Sequence, residues 1–122
     1  MIGYVTLGTN DLARAAEFYD ALLSGIGGKR FMEFDSFIAW QADPSRPGLA
    51  VTLPFDGKPA TAGNGTMVAL MVDSQEKVQQ MHAAALSLGA SDEGAPGPRG
   101  DGFYGGYFRD LDGNKLNFFC LT

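Results

Sequence analysis

The chain has 122 residues, 45% of them apolar and 19% charged, with a formal net charge of −5. That length and composition fit one globular domain with a core of its own and exclude a disordered chain. The acidic balance, with no cluster of Lys or Arg, argues against a nucleic-acid partner, and no apolar run approaches the ~20 residues that span a bilayer. The one cysteine, Cys120, has no partner for an internal disulfide. With no basic-then-apolar leader at the amino end, the expected location is the cytoplasm.

In chain order, residues 2–8 read as a strand, with Val5 and Leu7 on one face and Tyr4 and Thr6 on the other. Asn10 is the expected N-cap of a helix, with Asp11 in its first turn. Leu12, Ala15, Ala16, Tyr19, Leu22 and Leu23 form its apolar stripe, widened by Phe18, and Gly25, Gly27 and Gly28 end it. Three strand candidates follow at 30–34, 37–42 and 49–53, then a polar connection from Pro54 to Asn64. A new strand is expected over 65–72, and Asp73-Ser74 caps a second helix, with Glu76 placed as in a capping box. Val78, Met81, Ala85 and Leu88 form that helix's stripe, and Gly89 ends it. The stretch "EGAPGPRGDG" reads as a loop. Two aromatic strands, 103–109 and 115–121, close the chain around the hairpin turn "RDLDGN".

The halves echo each other at an offset of 63 positions, which pairs Val5 with Val68, Leu7 with Leu70, Asn10 with Asp73 and Leu23 with Leu86. The predicted architecture is α+β: two βαβββ modules forming a cupped mixed sheet with the helices outside. As a single domain over 1–122, module one covers about 1–56, a linker about 57–64 and module two about 65–122. Val5, Leu7, Val68, Leu70, Leu116, Phe118 and Cys120 are expected to face the helices. Tyr4, Thr6, Met67, Ala69, Asn117 and Phe119 are expected to line the hollow, a mixed polar and flexible set of the kind that binds small molecules.

The segments "MIGYVTLGTNDLARAAEFYDALL", "GNGTMVALMVDS" and "FYGGYFRDLDGNKLNFF" together resemble the vicinal oxygen chelate superfamily, which contains glyoxalases, bleomycin-resistance proteins and extradiol dioxygenases. The "DLDGN" turn before the last strand and the Asp-Leu-x-x-x-x-x-Phe-Tyr opening of the first helix carry much of the resemblance, which runs over essentially the whole chain. It implies paired βαβββ modules around a ligand site, and a homodimer. Catalytic members hold a divalent metal with histidines from the first strand of each module and a glutamate from the last. Carried over, those positions are Tyr4, Met67 and Asn117, and the first-module partner of Asn117 falls near Ala50–Thr52, with no carboxylate. A phenol, a thioether and an amide supply no anion, so no catalytic metal and no cofactor are expected. The alternative is a displaced metal site using Glu33, Asp35 or Asp101.

Two readings of Tyr4 stand: a residue filling the floor of the cup beside Asn117, or a hydroxyl that orients or protonates a ligand. Arg99 is a candidate for a ligand carboxylate or phosphate. Trp40, Phe103 and Tyr104 are candidates for an aromatic wall. "GDGFYG" matches a dinucleotide motif in letters but precedes a strand, so it reads as a loop. "DLDGN" lacks the later glutamate of a calcium loop. His82, the only histidine, is expected as a solvated or rim residue of the second helix. The expected function is small-molecule binding without metal. A lactoylglutathione lyase- or dioxygenase-like enzyme, using an unorthodox metal site or Tyr4 as acid, is the alternative.

Overall fold

The computed structural model describes all residues from 1 to 122 and is α+β. The chain divides into two compact units, Met1–Thr61 and Ala62–Thr122. The first contains β1 (Tyr4–Gly8), α1 (Leu12–Ser24), β2 (Lys29–Phe34), β3 (Phe37–Gln41) and β4 (Gly48–Thr52). Its sheet runs β1-β4-β3-β2, with β1 parallel to β4 and the other pairs antiparallel. The second contains β5 (Val68–Met71), α2 (Gln75–Ser87), β6 (Ser91–Pro98), β7 (Phe103–Arg109) and β8 (Lys115–Leu121). Its order, β5-β8-β7-β6, repeats the first, again with one parallel pair, β5 and β8. Each unit is thus a βαβββ module.

In the first unit the α1 stripe is buried as the periodicity predicts: Ala15, Ala16, Phe18, Tyr19, Leu22 and Leu23. Across from it lie Leu7, Ile38, Trp40, Leu49 and Val51, all buried. Each of the larger side chains contributes ~1.5–3 kcal/mol when removed from water. The N-cap is Asp11, not Asn10: the Asp11 carboxylate accepts the Arg14 N–H. Asn10 is engaged elsewhere. Its Oδ1 accepts the Ala60 N–H at 2.7 Å and its Nδ2 donates to the Ala60 carbonyl at 3.3 Å, so the amide ties the chain after β4 to the start of α1. At the other end Gly28 allows a close approach: a Cβ there would sit 2.8 Å from Leu23.

Asp20 fastens α1 to the sheet. It accepts the indole N–H of Trp40 at 2.8 Å and two guanidinium N–H groups of Arg30 at 2.9 and 2.7 Å. Arg30 also reaches Glu33 at 2.8 Å. These bonds hold the Asp20 carboxyl below its ordinary range, chiefly through Arg30.

In the second unit Ser74 caps α2 by accepting the Lys77 N–H, one residue later than a capping box centred on Asp73 requires. Val78, Met81, His82 and Ala85 face the sheet. The burial of His82 corrects the expectation of a solvated residue. A glycine makes the room: a Cβ on Gly106 would meet the imidazole at 3.1 Å. The His82 Nε2 lies 3.2 Å from Asp92 and 3.1 Å from the Tyr107 carbonyl.

The stretch read as a loop is largely strand β6. It carries register shifts between Asp92 and Gly94 and between Gly94 and Gly97. It holds two prolines, Pro96 and Pro98, and is the edge strand of its sheet, where a missing N–H removes no internal ladder bond. At the hairpin, buried Asp110 accepts the N–H groups of Asp112 and Asn114, both at 2.9 Å, and the Asn114 side-chain amide at 3.0 Å. Gly113, at φ +88°, supplies the left-handed residue of that turn. Arg109 clasps the turn through the Gly113 carbonyl and pairs with Glu93.

Candidate functional site

Strand register decides which candidate residues share a surface. In the first unit Tyr4 pairs with Gly48 and Thr6 with Ala50, while Ala39 pairs with Ala50 and Phe37 with Thr52. These residues lie on the face away from α1. Tyr4 is half exposed, at 50%, and its ring meets Phe37 edge-on at 5.7 Å. Trp40 does not join them. It has the parity of Ile38, Leu49 and Val51, so it points at α1, where it is 1% exposed and sits 5.7 Å from the Tyr19 ring. Trp40 is a core residue, not a ligand wall.

A separate groove of about 610 Å³ opens in the first unit between Thr9, Asn10, Ser36, Phe55, Lys58 and Pro59. None of the sequence candidates lines it. Its buried hydroxyl is occupied, since Thr9 Oγ1 bonds to the backbone of Asp11.

In the second unit Ala69 pairs with Asn117, and Met71 with Phe119, on the face away from α2. Across the β7–β8 hairpin, Asn117 stands opposite Tyr107 and Phe119 opposite Gly105. Met67, just before β5, is 40% exposed. Phe119 stacks on Phe103, with centroids 5.0 Å apart and planes within 6°. Tyr104 has the opposite parity: it is buried toward α2, and its hydroxyl accepts a hydrogen bond from Gln79 at 2.8 Å. Tyr104 is therefore withdrawn from the candidate wall, whereas Phe103 lies on the face of Asn117.

Asn117 is the unusual member of this face. It is 0% exposed, and neither amide atom has a protein group within hydrogen-bonding reach. Leaving a buried donor or acceptor unpaired costs roughly 1–3 kcal/mol, and native proteins hold few such groups. Arg99 reaches the same face through Tyr107, its guanidinium lying 5.4 Å from the ring centroid. The Lys115 ammonium approaches that ring at 5.6 Å. Tyr107 and Lys115 escaped the sequence reading, although the two-residue period from Asn117 and the hairpin turn together place both beside it.

The residues at the carried-over metal positions do not fit a divalent ion of the catalytic kind. Tyr4 packs against an aromatic ring, Met67 offers a thioether and Asn117 an uncharged amide. No group of three or more His, Cys, Asp or Glu side chains comes together. Of the displaced candidates, Glu33 is paired with Arg30, while Asp35 and Asp101 stand in the turns before β3 and β7. Cys120 is buried with the parity of Leu116 and Phe118. No helix is long and apolar enough to cross a membrane.

The comparisons with known proteins agree with this architecture. A solved glyoxalase/bleomycin resistance protein from Albidiferax ferrireducens is 35% identical, with a TM-score of 0.91 over 100% of this chain and 99% of that one. A glyoxalase/bleomycin resistance protein/dioxygenase family enzyme from Burkholderia phytofirmans shares the fold at 18% identity and a TM-score of 0.81, over 98% of each chain. So does a lactoylglutathione lyase from Agrobacterium tumefaciens, at 18% identity and a TM-score of 0.72 over 98% of this chain and 92% of that one. No curated protein sequence matches significantly. The family model described as Glyoxalase/Bleomycin resistance protein/Dioxygenase superfamily matches residues 1–118, and the chain belongs to that superfamily.

Proposed function

We propose that this chain is a small-molecule-binding member of the superfamily that works without the catalytic divalent metal. Its ligand site lies on the face of the second sheet away from α2. Met67, Ala69, Asn117 and Phe119 contribute to it, with Arg99 at its margin. Tyr4 and Thr6 occupy the corresponding face of the first unit. The observation that carries the reading is the buried, unpartnered amide of Asn117. A leucine there would avoid the desolvation cost, so an amide is worth its cost where a ligand or ordered water completes its hydrogen bonds.

The reading includes a homodimer. It is supported by the aromatic surface that Tyr4, Phe31 and Phe34 leave exposed on the first sheet, and sedimentation tests it.

The direct test is a thermal-shift screen of small organic compounds against the wild type and Asn117→Leu. The variant should be more stable unliganded, by about 1–3 kcal/mol, because the unpaired amide is gone. It should also lose the shift given by any compound that stabilises the wild type. A shift of equal size in both proteins refutes the site. Stoichiometric zinc, nickel, manganese or iron in protein purified without chelator or affinity tag refutes the metal-free reading.

A further inference from the structure

We propose that Arg99, Tyr107 and Lys115 form an anion-recognition subsite, and that the ligand is a small aromatic or apolar molecule bearing a carboxylate. This rests on the reading of Asn117 above and names the ligand's chemical class. In a chain of net charge −5, two cations converge on one ring: Arg99 at 5.4 Å and Lys115 at 5.6 Å from the Tyr107 centroid. Neither lies within salt-bridge distance of a carboxylate. The carboxylate on this side, Glu93, is held by Arg109, with Lys115 adding to the field that lowers its pKa.

The sequence builds the posture of Arg99. Its Nη2 donates to the Ala95 carbonyl at 2.6 Å and its Nη1 to the Pro98 carbonyl at 3.3 Å, curling the side chain back along β6. Two glycines leave it space: a Cβ on Gly94 would meet the guanidinium at 3.3 Å, and one on Gly97 at 3.1 Å. Two of five N–H donors are thereby used, and the rest of the planar fork is free to bind a carboxylate.

The other half of the ligand is read from the same face. Phe119 follows Asn117 by two residues and stacks on Phe103, an apolar plate suited to a ring or alkyl body. Asn117 has no exposed atom, so a ligand meets its amide only after a neighbour turns aside. Lys115, two residues back on the same face and half-buried, has the rotamer freedom to do so.

The test uses the full chain with benzoate and its uncharged isostere benzamide, followed by NMR of the Asn117 side-chain amide. Benzoate should shift that amide saturably, bind about tenfold more tightly than benzamide, and weaken as NaCl is raised. Arg99→Gln and Lys115→Gln, both changes outside the core, should each weaken benzoate roughly three- to tenfold and so narrow its preference over benzamide. Equal affinities for the two probes, with both variants silent, overturn the anion subsite and leave the Asn117 site standing. If neither probe moves the Asn117 amide at any concentration, the anion subsite falls, while the Asn117 reading is decided by the Asn117→Leu screen.

Discussion

Replacing Asp20 by alanine tests how α1 is held to its sheet. The substitution removes the acceptor of the Trp40 indole N–H, whose side chain is 1% exposed, and both bonds to Arg30. An indole N–H left buried and unpaired costs about 1–3 kcal/mol. The Arg30–Asp20 pair adds less, because its side chains are 32% and 44% exposed and solvent screens them, and because Arg30 keeps Glu33; about 0.2–1 kcal/mol is appropriate. The sum is roughly 1–4 kcal/mol, a fall in Tm of about 5–15 °C for a chain of this size. Urea denaturation followed by far-UV circular dichroism measures it, a probe that also serves in a background without Trp40, the one tryptophan of the chain. The Trp40→Phe background separates the terms: without the indole N–H, Asp20→Ala should cost only the Arg30 part. A loss below about 0.5 kcal/mol in the wild-type background, or an undiminished loss in the Phe background, refutes the reasoning. The pH dependence carries a matching sign. The folded-state pKa of Asp20 is depressed, so its contribution is present above the unfolded value and is lost as pH falls through the folded one. Asp20→Asn should therefore flatten the acid limb of the stability curve below about pH 4.

Gly106→Ala drives a methyl against the imidazole of His82 and the ring of Pro96, at 3.1 and 3.0 Å, and His82 is held by Asp92 and the Tyr107 carbonyl. A loss of about 1–3 kcal/mol should appear in chemical denaturation. Asp110→Ala strips the β7–β8 turn of three hydrogen bonds to one buried carboxylate, and should cost about 2–4 kcal/mol by the same measurement, with faster amide exchange at Asp112 and Asn114. Met67→Trp fills the face beside β5, and should abolish any compound-induced thermal shift while leaving the unliganded Tm within about 2 °C, since Met67 is 40% exposed. An unchanged shift in that variant moves the ligand away from Met67.

Elements with strong periods were legible in the sequence. The α1 stripe, the second hairpin and the echo between halves follow from apolar spacing and turn residues alone. Strand β6 was hidden because Gly94, Pro96, Gly97 and Pro98 carry no alternation, and its strand state comes from pairing with β7. Parity grouped Trp40 with Ile38 correctly but does not say which face of a sheet meets the helix, which the Tyr19 ring contact and the Asp20 bond resolve. Tyr104 was misplaced for a related reason: Gly105 and Gly106 beside it erase the pattern that would mark its side. His82 was read as solvated because the cavity that receives it is the absence of a side chain at Gly106, 24 positions further along the chain. The cap at Asp11 followed from a competition settled at Ala60, which no local rule contains. At the site, Asn117 was legible as a departure from the family's glutamate. Its lack of any partner was not, because satisfaction of a hydrogen bond is a property of three-dimensional surroundings.

The two sheets are finished unevenly at their rims. One border of each, β2 with its register break at Arg30/Met32 and β6 with its prolines and double slip, presents an irregular row of backbone groups to any incoming polypeptide. The opposite borders, β1 and β5, run in unbroken register with their neighbours. These breaks blunt the β2 and β6 flanks as templates for runaway strand addition. A fusion tag or grafted segment laid along β2 or β6 to lengthen its sheet meets a template already out of step.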